Sequence, residues 1–250
     1  MKPLAQIPIL KRWYPSLMKA WARITWTGGY KVKRYNGLLW LFCWRNMVDR
    51  NVALLGGYEK EQIAFLLSKM AGGYDAFIDI GANFGLYTVQ IAASGRAKEL
   101  HAFEPDPRNF AQLNSNLYLN KMTGRVTTHP FAVSAQSGEL RFDAAPEKST
   151  GKSRVMDAGM AADGTEMVLQ ARALDDVFTM TGCKIAIKID VEGHENDVLA
   201  GAGALLAQND CVLQIEAWPE NADALCAHMA QLGYARIHTI DDDFYFAKRA

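Results

Sequence analysis

The chain has 250 residues, half of them hydrophobic and 22% charged, which suits one well-buried core with a modest appendage and excludes a disordered or fibrous protein. Its formal net charge of zero hides an asymmetry: residues 1–50 hold ten Lys/Arg against the single acid Asp49, a local +9, and the rest of the chain carries the matching excess of acid. The apolar run Gly37 to Trp44 is far shorter than the roughly 20 residues of a membrane span, and the first residues lack a sustained apolar stretch, so a cytoplasmic protein is expected.

Residues 1–50 form a basic, aromatic-rich segment. Trp13, Trp21, Trp26, Trp40 and Trp44, five of the six tryptophans, are interleaved with its positive charges. Such a segment suits an anionic membrane surface, a lipid-linked or other anionic glycan, or nucleic acid. The plainer alternative is that its apolar members pack and its charges stay solvated. Peripheral contact with the inner membrane face or a lipid-linked glycan is the expectation carried forward. Residues 51–74 read as a helical lead-in and 75–250 as the main domain.

From residue 76, short apolar runs alternate with helical patterns, the rhythm of a parallel sheet with crossover helices. The runs are Ala76–Ile80, Glu99–Phe103, Arg125–Val133, Lys184–Ile189, Cys211–Ile215, Ala235–Ile240 and Phe244–Ala247, with helices expected at 86–94, 107–120, 195–207 and 221–232. The last two runs are joined only by Asp241-Asp242-Asp243, too short for a parallel crossover, so they are expected to form an antiparallel hairpin. The fold class is therefore α/β: a Rossmann-like, seven-stranded, mostly parallel sheet with a C-terminal antiparallel hairpin, an arrangement that resembles that of class I methyltransferases. Residues 138–173 interrupt the rhythm as a β-excursion around a polar loop, 145–165, expected to be a lid or locally mobile.

Asp79-Ile80-Gly81-Ala82-Asn83-Phe84-Gly85 is a strand that ends in an acid and turns through two glycines into a helix, whose N-terminus presents unpaired N–H groups. The spacing is G-x-x-x-G and lacks the middle glycine that lets a pyrophosphate sit against the backbone, so a ligand without a diphosphate is favoured. Asp79 is placed to hold an ammonium or order water. Glu104 follows the next strand, 25 residues after Asp79, near the offset at which an acid receives ribose hydroxyls. Alternatively, Glu104-Pro105-Asp106 only starts a helix, with Asp106 as its N-cap.

Lys188-Ile189-Asp190-Val191-Glu192-Gly193-His194-Glu195 sets ionisable groups at the carboxyl end of the fourth strand, the edge where open α/β sheets bind ligands. The alternative is that Glu192 to Glu195 merely caps the next helix. Gly151-Lys152-Ser153 imitates a phosphate loop, but Pro146 stands where its first glycine would be, so a surface loop is expected there. His101 and His129 lie within strand patterns and are expected to be packed or solvated. Cys43, Cys183, Cys211 and Cys226 have no metal-ligand spacing and read as buried, reduced thiols, with no metal site.

These motifs, together with Glu216 after the fifth strand, resemble the FkbM family of methyltransferases over about residues 50–245; the D-x-E-G-x-E stretch Asp190–Glu195 is the most family-specific. The resemblance implies an S-adenosyl-L-methionine cofactor and O-methylation of a hydroxyl on a sugar, glycan or natural-product acceptor. It implies that Asp79, Gly81, Asn83 and Gly85 surround the methionine part, Glu104 the ribose, Ala132 or Val133 the adenine, and that Asp190 faces the transferred methyl. Glu192, His194 and Glu195 are then candidates for recognising the acceptor or removing its proton. His194 is the first candidate base because its proton affinity suits neutral pH, Glu192 the second, and positioning without a base the third. The rivals are an NAD-type oxidoreductase and a non-catalytic binding module. Nucleic acid is disfavoured, since no N/D-P-P-Y-type stretch follows the fourth strand.

Overall fold

A computed structural model describes Trp26 and residues 29–55, 58–156 and 160–249. They fall into two compact units, one running to Glu59 and including Glu147–Ser149, the other made of Lys60–Pro146 and the residues from Thr150 onward.

In the first unit, β1 (Tyr30–Tyr35) and β2 (Leu38–Cys43) pair antiparallel. Asn36 and Gly37 both take positive φ between them, the turn that matches strand twist in a two-residue hairpin. Helix α1 (Met47–Leu55) follows, and Asp49 reaches back to accept the Cys43 N–H at 2.6 Å. Trp40 and Phe42 are fully buried. Trp26 and Trp44 lie 5.3 Å apart, with Lys33 over the first ring and Arg50 over the second, so part of the basic and aromatic content is used in cation–π packing. Strand β1 still exposes Tyr30 and Val32. The calls on Trp13 and Trp21 lie outside the described residues.

The second unit begins with α2 (Lys60–Lys69) and β3 (Tyr74–Ile80), then α3 (Leu86–Ser94), β4 (Ala97–Phe103), α4 (Pro107–Leu119) and β5 (Thr127–His129). An excursion follows: β6 (Ala132–Val133), β7 (Gly138–Ala144), β8 (Arg154–Val155) and β9 (Thr165–Arg172). After α5 (Leu174–Val177) come β10 (Lys184–Ile189), α6 (Glu195–Ala200), α7 (Gly203–Gln208), β11 (Asp210–Glu216), α8 (Ala222–Gln231), β12 (Tyr234–Ile240) and β13 (Asp243–Lys248).

Seven strands form one sheet in the order β12-β13-β11-β10-β3-β4-β5. The first five in chain order are parallel and the last two close it as an antiparallel hairpin, as the run lengths and the short Asp-rich link required. Ile78, Ile80, Ile187, Ile189, Leu213 and Ile215 lie on one face, nearly or fully buried with Val198, Leu205, Leu225 and Met229 from α6, α7 and α8. Burying such a side chain contributes about 1.5–3 kcal/mol, so this layer is the main glue of the unit. Among the described residues, no helix is long and apolar enough to cross a membrane.

Three expectations need correction. The run Arg125–Val133 is two strands: β5 joins the main sheet, whereas β6 pairs with β9 in a separate four-stranded sheet, because the intervening Pro130 has no N–H for the ladder. The helix at 195–207 is broken into α6 and α7 at Gly201-Ala202. A side chain at Gly201 would overlap the Ser134 carbonyl, so the backbones cross there in close contact. Of the four cysteines, only Cys43 and Cys211 are buried, while Cys183 and Cys226 are partly exposed.

Candidate active site

The sheet changes winding direction between β3 and β10, and open α/β sheets bind ligands outside the carboxyl ends of strands at such a point. A pocket opens there. Its walls include Gly81, Asn83, Glu104, Ala132, Val133, Asp190, Glu192 and His194, so eight of the sequence-derived candidates converge on one space. Asp79, Gly85 and Glu195 stand behind its walls.

Asp79 is 1% exposed, and its Oδ2 accepts from the Thr88 N–H at 3.0 Å and the Thr88 hydroxyl at 2.5 Å. The acid therefore anchors the first turn of α3, and burial raises its proton affinity. Gly81 has φ +79°, and a side chain there would overlap the backbone carbonyl of Asp190. Gly85 has φ +91° and faces Leu113 of α4. Both glycines are required by the protein's own packing; Gly81 also lines the pocket.

Glu104 is 5% exposed, and its two oxygens accept the backbone N–H groups of Asn83 at 2.7 Å and Asp106 at 2.9 Å. Burial pushes its carboxyl up to about 8, against the pull of those two donors. Asp106 caps α4 through the Arg108 N–H at 2.9 Å. The two readings of Glu104-Pro105-Asp106 thus belong to different residues: Asp106 starts the helix and Glu104 faces the pocket.

The acidic loop after β10 divides in a similar way. Asp190 accepts from the ammonium of Lys188 at 2.8 Å. Glu192 sits at φ +54°, and its carboxyl makes no hydrogen bond or ion pair with the described residues. Burial and then the neighbouring Asp190 push Glu192 up to about 7. His194 is held at both ring nitrogens, Nε2 lying 3.0 Å from the Ser134 hydroxyl and Nδ1 3.3 Å from Asp197. Glu195 folds back so that its carboxylate accepts the Gly193 N–H at 2.9 Å, which ties the loop to its own helix start.

Sequence reasoning missed several walls. Phe131 and Phe142 line the pocket, and so do Thr150, Gly151, Ser153 and Arg154. The stretch expected to be a surface loop is corrected accordingly: Thr150 is buried, and Ser153 donates to Asp106 at 3.0 Å. Its apparent phosphate-loop pattern drew attention to the wrong chemistry. His101 and His129 are packed as expected, 3.2 Å apart, with His129 stacked on Phe103 outside the pocket wall. Glu216 ends β11 and does not line the pocket.

Residues 79–235 match the model of the methyltransferase FkbM domain. The chain belongs to the FkbM methyltransferase family. It is 26% identical over 199 residues to the hexuronic acid methyltransferase AglP of Haloferax volcanii, which covers 76% of this chain and 77% of that protein. It is 30% identical over 155 residues to the 31-O-demethyl-FK506 methyltransferase FkbM of Streptomyces tacrolimicus, covering 51% of this chain and 59% of that protein. Among solved structures, a methyltransferase FkbM from Methylobacillus flagellatus shares the fold with a TM-score of 0.51 at 19% identity, over 70% of this chain and 43% of that one. Family membership sets aside the oxidoreductase reading.

Proposed function

We propose that this chain transfers the methyl group of S-adenosyl-L-methionine to an oxygen of a sugar, glycan or natural-product acceptor. The observation that carries the reading is the convergence of three carboxyl groups, Glu104, Asp190 and Glu192, on one pocket at the winding change of the sheet. Glu104 suits ribose hydroxyls: its carboxyl lies at the wall with both oxygens fixed by backbone donors. Phe131, Ala132 and Val133 offer an apolar surface for a purine, and Asp190 a negative charge for the cationic end.

The cofactor supplies an electrophilic methyl on a sulfonium. The protein's part is to align the acceptor oxygen, exclude water and take the acceptor's proton. For the last role we place Glu192 ahead of His194. Burial raises the proton affinity of Glu192 toward neutrality and its carboxyl makes no hydrogen bond with the described residues, whereas both nitrogens of His194 are occupied by Ser134 and Asp197. Asp79, Gly85 and Glu195 act by holding the site's framework. The acceptor class is supported by the names of two relatives, one for a hexuronic acid and one for 31-O-demethyl-FK506.

For residues 1–50 we retain contact with an anionic surface, membrane or lipid-linked glycan. The exposed Tyr30 and Val32 beside Lys31 on β1 favour it. The deciding experiment for the enzyme is calorimetric titration of the full chain with S-adenosylmethionine and with NAD, followed by methyl-label transfer to hexuronic acids and other hydroxylated acceptors. Micromolar NAD binding without S-adenosylmethionine binding would overturn the reading.

A further inference from the structure

Lys188 lies on the opposite face of the sheet from the isoleucine layer and is 4% exposed. A lysine ammonium is rarely buried without a paired charge, because removing it from water is costly. Here the surroundings form a polar row across adjacent strands. Lys188 is in register with Asp79 on β3 and with Gln214 on β11. Its ammonium is 4.7 Å above the Tyr87 ring of α3, and Gln214 donates to the Tyr87 hydroxyl at 2.7 Å.

The carboxylates near Lys188 include Asp79, Asp190 and Asp243, and they differ in what else they do: Asp243 accepts from Gln214 at 2.8 Å. Asp79 Oδ2 is already engaged by both donors of Thr88. Asp190 Oδ2 takes the ammonium at 2.8 Å, and its side chain is 25% exposed on the pocket side. A strand returns to the same face every second residue, so Lys188 and Asp190 meet without any bend in the chain. Lys188 is thus a buried cation paired with Asp190, a carboxylate of the pocket wall.

We propose that Lys188 is a positioning residue of the cofactor site: its buried ammonium fixes the Asp190 carboxylate in the orientation that receives the cationic end of S-adenosylmethionine. This rests on the cofactor reading above. Without that ammonium, the partly exposed carboxylate turns toward water and must be reoriented when ligand binds. Methionine matches the length of lysine and fills its space, and water can take over at Asp190, but the buried Asp79 also loses its neighbouring positive charge, so a loss of thermal stability is expected beside the loss of affinity.

The test is a double-mutant cycle on the full chain, read by calorimetric affinity for S-adenosylmethionine and by thermal unfolding. Lys188→Met is expected to weaken binding tenfold or more in the native background and less than twofold when Asp190 is already Asn. Lys188→Arg, which retains the charge, is expected to recover part of the loss. An unchanged affinity in Lys188→Met, or an equal loss with and without Asp190, would overturn the proposal and leave Lys188 a structural residue. If Lys188→Met does not fold, Lys188→Gln carries the same cycle with the same two outcomes. Failure of the unaltered chain to bind S-adenosylmethionine would reject the cofactor reading itself and this proposal with it.

Discussion

The backbone carbonyl of Asp190 occupies the space that a side chain on Gly81 would need, so the turn after β3 and the acidic loop after β10 are wedged together. The Asp190 N–H donates to the Ile80 carbonyl at 3.0 Å in the same contact. One junction therefore sets the separation of the two chemistry-bearing loops.

Gly81→Ala must accommodate both a φ of +79° and an overlap with backbone that cannot rotate away. A loss of about 2–4 kcal/mol in unfolding free energy is expected by urea titration. Gly85→Ala should cost less, because its nearest obstacle, at 2.6 Å, is the end of the flexible Leu113 side chain. Equal costs would show that the Asp190 contact is not the dominant constraint.

On the proposed cofactor reading, Glu104 is expected to link ligand binding to protons. Its folded-state value of about 8 lies above the ordinary 4.5, so its contribution to stability is fully present below about pH 4.5 and is lost as pH rises through 8. Ribose hydroxyls donating to the carboxyl favour its ionised form, and cofactor binding near pH 7 is expected to release up to one proton. Calorimetry in buffers of different ionisation enthalpy measures this directly. Glu104→Gln should abolish the release and weaken binding by about 1–3 kcal/mol; proton release that persists in the variant would point to another group.

Glu192 predicts the acid limb of the rate profile. A base must be unprotonated, so turnover should fall as pH drops below about 7. Glu192→Gln is expected to remove that limb and lower kcat by about 10²–10⁴, with cofactor affinity within a few-fold. His194→Ala serves as the comparison. If it alone removes the limb while Glu192→Gln does not, the proton goes to the histidine.

On the first unit, substitution of Tyr30 and Val32 by serine and of Lys31 by glutamate should reduce co-sedimentation with anionic vesicles and leave neutral vesicles unaffected. Each basic residue near such a surface contributes about 1 kcal/mol, so the effect should fade at high salt. Equal, negligible pelleting of the full chain on both vesicle types would end the membrane idea.

The seven-stranded sheet and its closing hairpin were legible because hydrophobic periodicity is local: KIAIKI and CVLQI are short, isoleucine- and valine-bearing runs that read as buried strands, and three aspartates cannot carry a parallel crossover. The residues of the pocket were largely legible too, since ligands collect at the carboxyl ends of such strands. Sequence could not assign the duties within each motif. Asp79 and Glu195 turn to backbone and hydroxyl donors away from the pocket, while Glu192 and Glu104, the latter also held by two backbone donors, line it, a choice made by the rotamers and neighbours of the folded state. The β-excursion over 138–173 was legible as β7 and β9, but its further members were hidden, because the pairing of β6 with β9 joins segments far apart in the chain, and its loop carries Thr150 and Ser153 to the pocket wall. Sequence determined which strands exist and which acids stand at their ends; tertiary packing decided which of those acids are held as structure and which are left for chemistry, because burial and hydrogen-bond partners come from residues distant in sequence.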